Sequence, residues 1–448
     1  MSLLTALSSG TSGIEANSND LSVIGDNIAN ANTVGFKMSR SDFESQLSQS
    51  LLGGGSVGDG VQMTTVQQII TQGSLTQTGN STDMALQGNG MFIVSGKAGG
   101  GGGDLYTRDG QFNIDKSGYL VTQSGNRVQG YSADASGGIQ NTVGDMQVGN
   151  ATVVATPTGT IQMKGTLDPN AAILTPDITS SATAAATSNV SQAVTIYDST
   201  GAAHAATVYF NRTGTGAWNY NVLTDAGGNG GQAGTPVSIA SGSMTFDNTG
   251  KLSADPTETS NFTPTNAAAQ TLKLNFGTPT STAGGSGTDG LTSSVTATTG
   301  TAGTSSSINY ASADGHQAGT LTSVAVGADG TITGTFSNGV NQAVGQVAIA
   351  EFAAPDQLKR LGANLYAATP NDAVGGANQA AGGSGDALVG KAGDAGRGTI
   401  AAGALEQSNV DITNQFVNMI AAQRDFEANS KTVTTADQML NDLIQMKR

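Results

Sequence analysis

Histidine, cysteine and clustered carboxylates are the side chains that most often do chemistry, and this chain is poor in all of them. It has two histidines, His204 and His316, and no cysteine. Each histidine lies in a polar stretch with no adjacent carboxylate or second histidine. Both are therefore expected at exposed strand ends or turns, not on a metal or a substrate. The lack of cysteine excludes a disulfide framework and any thiolate metal site. Asp109, Asp115, Asp247 and Asp329 could suggest calcium, but none opens a D-x-[DN]-x-[DN]-G loop, so hairpin turns are the better reading. The glycine clusters at 53–55 and 99–103 lack the Lys-Ser/Thr of a phosphate loop and open no helix. No G-x-S-x-G elbow occurs. Folding could still bring together two distant carboxylates for glycoside chemistry, but no spacing points to such a pair. The residues thus nominate no catalytic, cofactor-binding or metal-binding group.

The elements that would position a site are legible in the apolar spacing. Leu7, Ile14, Leu21 and Ile28 recur every seven residues, with Leu3, Ile24 and Ala31 on the neighbouring stripe. At the other end Leu405, Ile412, Met419, Phe426, Val433 and Leu440 repeat the interval, with Phe416, Leu443 and Ile444 alongside. A sustained seven-residue apolar period marks helices that pack lengthwise on other helices. It predicts helices over 3–31 and about 405–446, the second roughly 60 Å long at 1.5 Å per residue. A small β domain has too little apolar surface to cover both stripes. The seams are therefore expected to be buried between sister copies of the chain. An antiparallel helix pair tucked against one domain is the plainer alternative.

Composition agrees with an assembly subunit. Charged residues make up 11% of the 448 and glycine numbers 64, so much of the surface is Ser, Thr, Asn, Gln and Ala. Such groups hydrogen-bond without repelling a copy of themselves. A net charge of −15 without any basic run disfavours nucleic acid and anionic membrane as partners. No run approaches the ~20 apolar residues of a membrane helix. No Lys or Arg precedes Lys37 and no apolar block follows the start, so export would proceed without a cleaved signal peptide.

Between the helices, residues 36–60 read as a second, weaker amphipathic piece (Phe43, Leu47, Leu51) closed by Gly53-Gly54-Gly55. From about 61 the period becomes two. Short strands are predicted at 61–66, 91–94, 105–108, 112–114, 119–121 and 128–131, with Asp-Gly and Ser-Gly turns between them. The glycines 99–103 read as a flexible hairpin tip. Pro157 and the aromatic-poor stretch 150–190 suggest a boundary, followed by strands at 194–197, 207–210, 218–222, 244–246 and 272–276. A Ser/Thr/Gly tract at 280–307 reads as a surface loop. Strands resume at 321–326, 332–336 and 344–350 in the style of the first region. The predicted fold class is mainly β with α-helical termini, in a nested order. Residues 1–35 and 400–448 form a coiled-coil-like inner helical domain, and 36–70 with 360–399 connecting segments. Residues 71–156 with 314–359 form a first β domain, and 157–313 an inserted outer β domain.

Several stretches resemble one family. Asn19 to Lys37, including Ile28-Ala29-Asn30-Ala31-Asn32-Thr33-Val34-Gly35-Phe36-Lys37, is similar to the N-terminal signature of bacterial flagellar rod and hook proteins. Ala404 to Asp411, Phe416 to Arg424, Ala428 to Lys431 and Thr435 to Leu440 resemble their C-terminal helix and its entry. Thr78-Gly79-Asn80, Gly88-Asn89-Gly90-Met91-Phe92 and Tyr106-Thr107-Arg108-Asp109-Gly110 with Phe112 resemble their first β region. Val194-Thr195-Ile196-Tyr197-Asp198-Ser199-Thr200-Gly201 resembles the opening of the outer domain of hook subunits, which the shorter rod subunits lack. Asp26 departs from the pattern, where an Asn would stand. The resemblance implies a non-enzymatic subunit without cofactors, placed in the extracellular hook of the flagellum. It would polymerise with itself into a flexible hollow tube that couples the rod to the filament and transmits torque. Distal rod, hook cap and hook–filament junction proteins and the export apparatus would be its partners. A distal rod or junction subunit, or a secreted β-rich polysaccharide-degrading enzyme, are the alternative readings. The interface implied is the heptad set Leu7, Ile14, Leu21, Ile24, Ile28, Leu405, Ile412, Phe416, Met419, Phe426, Val433, Leu440 and Leu443.

Overall fold

The computed structural model of the chain describes residues 3–47, 58–98, 101–177, 180–293, 305–368 and 383–446. Strand predominates, with helices α1 (Leu3–Ala29), α2 (Ser181–Ala186) and α3 (Ile412–Met446) among the described residues. The fold is mainly β with helical termini, as the apolar periods imply. α3 runs for 35 residues, about 52 Å at the standard rise. It begins seven residues later than expected. Asp411 accepts hydrogen bonds from the backbone N–H groups of Thr413 (2.9 Å) and Asn414 (3.2 Å), capping a helix that starts at Ile412. Leu405 is instead buried in the short strand Ala404–Glu406.

The chain divides into two compact units. The first comprises Met1–Ala151, Leu321–Thr335 and Asn341–Arg448, and the second Thr152–Thr320 and Phe336–Val340. In the first, the segment expected to be a weak helix is an antiparallel hairpin of β1 (Ser39–Leu47) and β2 (Gly58–Gln68). Phe43 and Leu47 have helical spacing, but the backbone at the start of β1 is already claimed. Ser39 donates its N–H to Asn27 Oδ1 (2.8 Å), and its carbonyl accepts from Asn27 Nδ2 (2.7 Å). The N–H of Ile69 then bonds the carbonyl of Met38 at 2.9 Å, and Ser39 pairs with Gln68. Tertiary bonds thus override a weak local preference. Leu51 and Gly53 to Gly55 lie outside the described residues.

The rest of this unit is built on an antiparallel sheet. Its central order is Asn341–Glu351, Arg127–Ala133, Met91–Ala98, Gly101–Thr107 and Leu365–Ala367. The late strand thus inserts beside two early ones, so the chain does return to its first β region. Met84, Leu86, Phe92, Val94, Phe112, Val347 and Ile349 fill one core, with Phe92 edge-on to Phe112 at 5.1 Å. Gly101 to Gly103, expected in a flexible tip, are strand residues paired with Gly96 to Ala98. Without side chains to pack they remain competent to pair, because the ladder needs only backbone groups. Residues 99 and 100 lie outside the described residues. The Asp109, Asp115, Asp247 and Asp329 carboxylates each accept backbone N–H groups of their own turns, at 2.8–3.1 Å. They are turn formers, as expected.

The second unit packs a five-stranded antiparallel meander against a smaller sheet. The meander runs Val190–Tyr197, Ala203–Gly214, Ala217–Asp225, Pro236–Thr245 and Thr257–Ser260. In the smaller sheet Thr160–Thr166 pairs with Lys273–Asn275, Leu291–Thr292 and Ser307–Ala313. Trp218, Tyr220, Phe210, Phe262 and Phe276 fill the space between them. Leu291, fully buried in this core, comes from the tract expected to be a bare loop. Residues 294–304 of that tract lie outside the described residues. His204 corrects a second expectation: it is largely buried and paired, Nε2 to Asp198 Oδ2 at 2.9 Å. The partner was missed because six residues separate the two in sequence, and the turn at Asp198–Ala202 brings them across one hairpin.

Burial pushes the Asp198 carboxyl up. The opposing hydrogen bonds from His204, Thr200 and Ala202 outweigh it and hold the group down at about 2, against an ordinary 3.8. A depressed folded pKa contributes stability above the unfolded value, and that contribution is lost as pH falls through the folded one. The second unit should therefore weaken between about pH 4 and pH 2. Asp198→Asn should cost about 1–2 kcal/mol at neutral pH and flatten that acid dependence. Emission from Trp218, the only tryptophan, during unfolding of the full chain provides the measurement.

Candidate assembly interface

The terminal helices meet in antiparallel fashion within the first unit. Gly10 faces Val433, Gly13 faces Asn429, and Asn27 donates to Gln415 Oε1 at 3.4 Å. A methyl group on Gly13 would come within 2.6 Å of the Asn429 amide, and one on Gly10 within 2.8 Å of a Val433 methyl. The two glycines therefore let α3 approach closely. The hairpin closes another side of α1: Ser12 Oγ accepts from the Val61 N–H at 3.2 Å. Ala16, Ile24 and Asn27 are buried, while the heptad residues Leu7, Ile14, Leu21 and Ile28 are half-buried at the flank. The expectation that neither seam finds cover within one chain is thus corrected for α1. Its inner face is sheathed by α3 and by β1 and β2.

The other seam is covered only in part. Val433 and Leu440 are half-buried, Met419 likewise, but Ile412 is 43% exposed, Phe416 49% and Phe426 36%. A seven-residue repeat on a 3.6-residue helix drifts by about 20° per heptad. The stripe that is half-buried at Val433 and Leu440 has therefore turned toward solvent at Ile412, three heptads back, and Phe416 beside it is exposed as well. The side chain of Leu443 lies outside the described residues.

Where both helices join the body of the unit, three charged side chains are buried together. Lys37 Nζ lies 2.6 Å from Glu406 Oε1, and Arg108 Nη1 lies 3.3 Å from Glu406 Oε2. Lys37 also donates to the carbonyl of Thr71 (2.6 Å), Arg108 to that of Gly88 (2.8 Å), and the Gly73 N–H to Glu406 Oε1 (2.9 Å). Burial lowers the pKa of both Lys37 and Arg108, and the Glu406 carboxylate opposes the shift. Glu406 also accepts the Gly35 N–H on its backbone carbonyl at 2.8 Å. Gly35 has φ +69°, and a side chain there would strike the Asp109 backbone at 2.7 Å. Asn409 adds a second tie: its Oδ1 accepts from the Met38 N–H (2.8 Å) and its Nδ2 donates to the Ile69 carbonyl (2.7 Å). The exit of α1, the end of the hairpin and the approach to α3 are thus held at one point.

Comparison with known proteins decides what this helix pair belongs to. Residues 7–37 match the description "Flagella basal body rod protein" and 401–446 match "Flagellar basal body rod FlgEFG protein C-terminal". Residues 85–191 match "Flagellar hook protein FlgE/F/G D1 domain" and 162–316 match "Flagellar basal body protein FlaE D2 domain". The chain is 33% identical over 450 residues to the flagellar hook protein FlgE of Escherichia coli K12, covering 99% of this chain and 100% of that protein. The chain belongs to the flagellar hook protein family. It is similarly related to the hook proteins of Brucella abortus (32% over 451 residues) and Treponema pallidum (31% over 484), each covering 100% of both chains. A crystal structure of the Helicobacter pylori hook protein FlgE2 overlays with a TM-score of 0.48 at 16% identity, over 72% of this chain and 98% of that one.

As a hook-family member the chain is a structural subunit of the flagellar hook. No group of three or more metal-ligating side chains occurs among the described residues, and no described helix is long and apolar enough to cross a membrane. Sequence reasoning nominated the helix seams but passed over Lys37, Arg108 and Glu406. Their signal was the scarcity of charge: in a chain with 11% charged residues, all three fall inside family-like stretches.

Removing one partner from a buried ion cluster leaves uncompensated charge, which typically costs about 3–5 kcal/mol. Glu406→Gln should lower the unfolding temperature of the first unit accordingly and make α1 and α3 sensitive to protease. The Trp218-reported transition of the second unit should stay put.

Proposed function

We propose that this hook subunit polymerises through its terminal helices into a flexible hollow tube that couples the rod to the filament and transmits torque. In this reading α1 and α3 line the inner tube, the sheets of the first unit, with Leu365–Ala367, Leu388–Lys391 and Ala404–Glu406 among their strands, form the first β domain, and 157–313 form the outer one. The reading is carried by α3: a 35-residue helix, anchored at its start by a buried ion cluster, that leaves Ile412, Phe416 and Phe426 uncovered. Together with Leu7, Ile14, Leu21, Ile28, Met419, Val433 and Leu440 they supply apolar surface for neighbouring helices. Leu405, buried in its own strand, takes no part. The β surfaces, polar and weakly charged, exchange partners with water at little cost, which suits contacts that shift as a curved tube turns.

The subunit works without cofactor or catalysis. Its partners are further copies of itself, the distal rod, the hook cap, the junction proteins and the export apparatus, which delivers it outside the cell without signal cleavage. Ile412→Asp or Phe426→Asp should abolish hooks on basal bodies isolated from cells carrying the variant as sole copy. Burying an aromatic or branched side chain contributes about 1.5–3 kcal/mol at every repeated contact. Unchanged Trp218 emission would show the second unit still folded, and hooks of parental length would refute the proposal.

A further inference from the structure

The side of α3 turned away from α1 carries a second line of residues, Val417, Ile420, Arg424 and Lys431, at helical spacing of three, four and seven. Val417 is 60% and Ile420 52% exposed, and the two cations are exposed as well. The side facing α1 contributes to a groove of about 490 Å³ between α1, α3 and the start of β1. Val23, Ile24, Phe43 and Ala421 give it apolar walls, and Asp20 and Asp425 stand on it from the two helices. Among the described residues lining it the one cation, Arg40, is already held by Asp42 at 3.0 Å and by Gln67 at 2.8 Å. Phe43 is exposed there, and the buried Ser41 Oγ in the wall has no hydrogen-bond partner among the described residues. Among those residues neither Asp20, Asp425, Arg424 nor Lys431 forms an ion pair.

We infer that this groove receives the Val417–Ile420 line of a second copy's α3, with the incoming Arg424 set against Asp20 and Asp425. The inference rests on the self-assembly reading and names which surfaces mate. The groove sets Val23, Ile24, Phe43 and Ala421 beside two carboxylates, and the outward line sets two apolar residues beside two cations, so the two surfaces match in kind and in sign of charge. On α3 the line and the groove-lining Gln415, Asn418, Ala422 and Asp425 occupy different faces, which adjoin where Ala421 follows Val417 by one turn. Each copy can therefore give and receive at once, which makes the contact head-to-tail and leaves it open to propagate instead of closing as a pair.

Charge reversal tests the match in trans. Arg424→Glu, or Asp20→Lys with Asp425→Lys, supplied as the sole copy, should each cut assembled hook at least tenfold. The two variants produced together should restore it, because every groove then meets a line of opposite charge. Full assembly by either variant alone, or a mixture no better than its parts, would overturn the inference. Hooks of parental length from these variants would leave the wider reading standing, since that is judged by Ile412→Asp. Because the chain has no cysteine, a Phe43→Cys, Ile420→Cys chain supplies a second measurement that alters no charge. Oxidised polymer should run as a ladder of linked copies on a non-reducing gel, and only unlinked chain would overturn the inference.

Discussion

Glu406 is the point on which the first unit depends. Its carboxylate neutralises one of two buried cations, and its backbone receives the residue that turns the chain out of α1. Lys37 and Arg108 reach it from segments hundreds of residues from it in sequence. A buried ion cluster is weak evidence for net stability, because desolvation consumes much of the attraction. Its value here is directional. Three charges that cannot be left unpaired admit one arrangement of three segments, so both terminal helices leave the body of the unit at a set angle. For a subunit whose copies must repeat one geometry, that constraint matters more than a few kcal/mol.

The helix pair itself is a compromise between two periods. The heptad would hold a stripe in register along a supercoil, while a nearly straight helix lets it drift. The consequence is visible along α3. Val433 and Leu440 of its heptad stripe are half-buried, while Ile412 at its start faces outward. One chain therefore covers one seam and part of the other. The two glycines of α1 sharpen the contrast, since close approach at Gly10 and Gly13 secures the intrachain contact at the far end of the pair and leaves Ile412 and Phe416 open near the anchor.

Scarcity of charge runs through both levels. With 11% charged residues, each ion is conspicuous, and most of the buried ones hold segments together. Lys37, Arg108 and Glu406 form the anchor, and Asp198 fixes the turn that holds His204. The remaining surface is hydroxyl and amide, which neither attracts nor repels a copy of itself strongly. Specific placement then falls to the few exposed apolar and charged groups on the helices.

Much of this was written in the chain. Period-seven and period-two spacing located both terminal helices and about half of the described strands, because local geometry dictates which side chains share a face, but it passed over Ile139–Asp145, Thr160–Thr166 and Ser307–Ala313 among others. The strands at 321–350 repeat the period-two pattern of the first region, and one of them, Asn341–Glu351, pairs with Met91–Ala98 and Arg127–Ala133. What spacing could not reveal was anything made by distant partners. β1 and β2 replaced a weak helix because Asn27 claims the backbone of Ser39, the start of α3 moved to Ile412 because Asp411 caps it there, and Leu405 joined a strand. The Lys37–Arg108–Glu406 cluster and the Asp198–His204 pair likewise exist only once the chain is folded. Local periodicity is a property of neighbours in sequence, whereas burial, pairing and the sheathing of α1 by α3 are properties of neighbours in space.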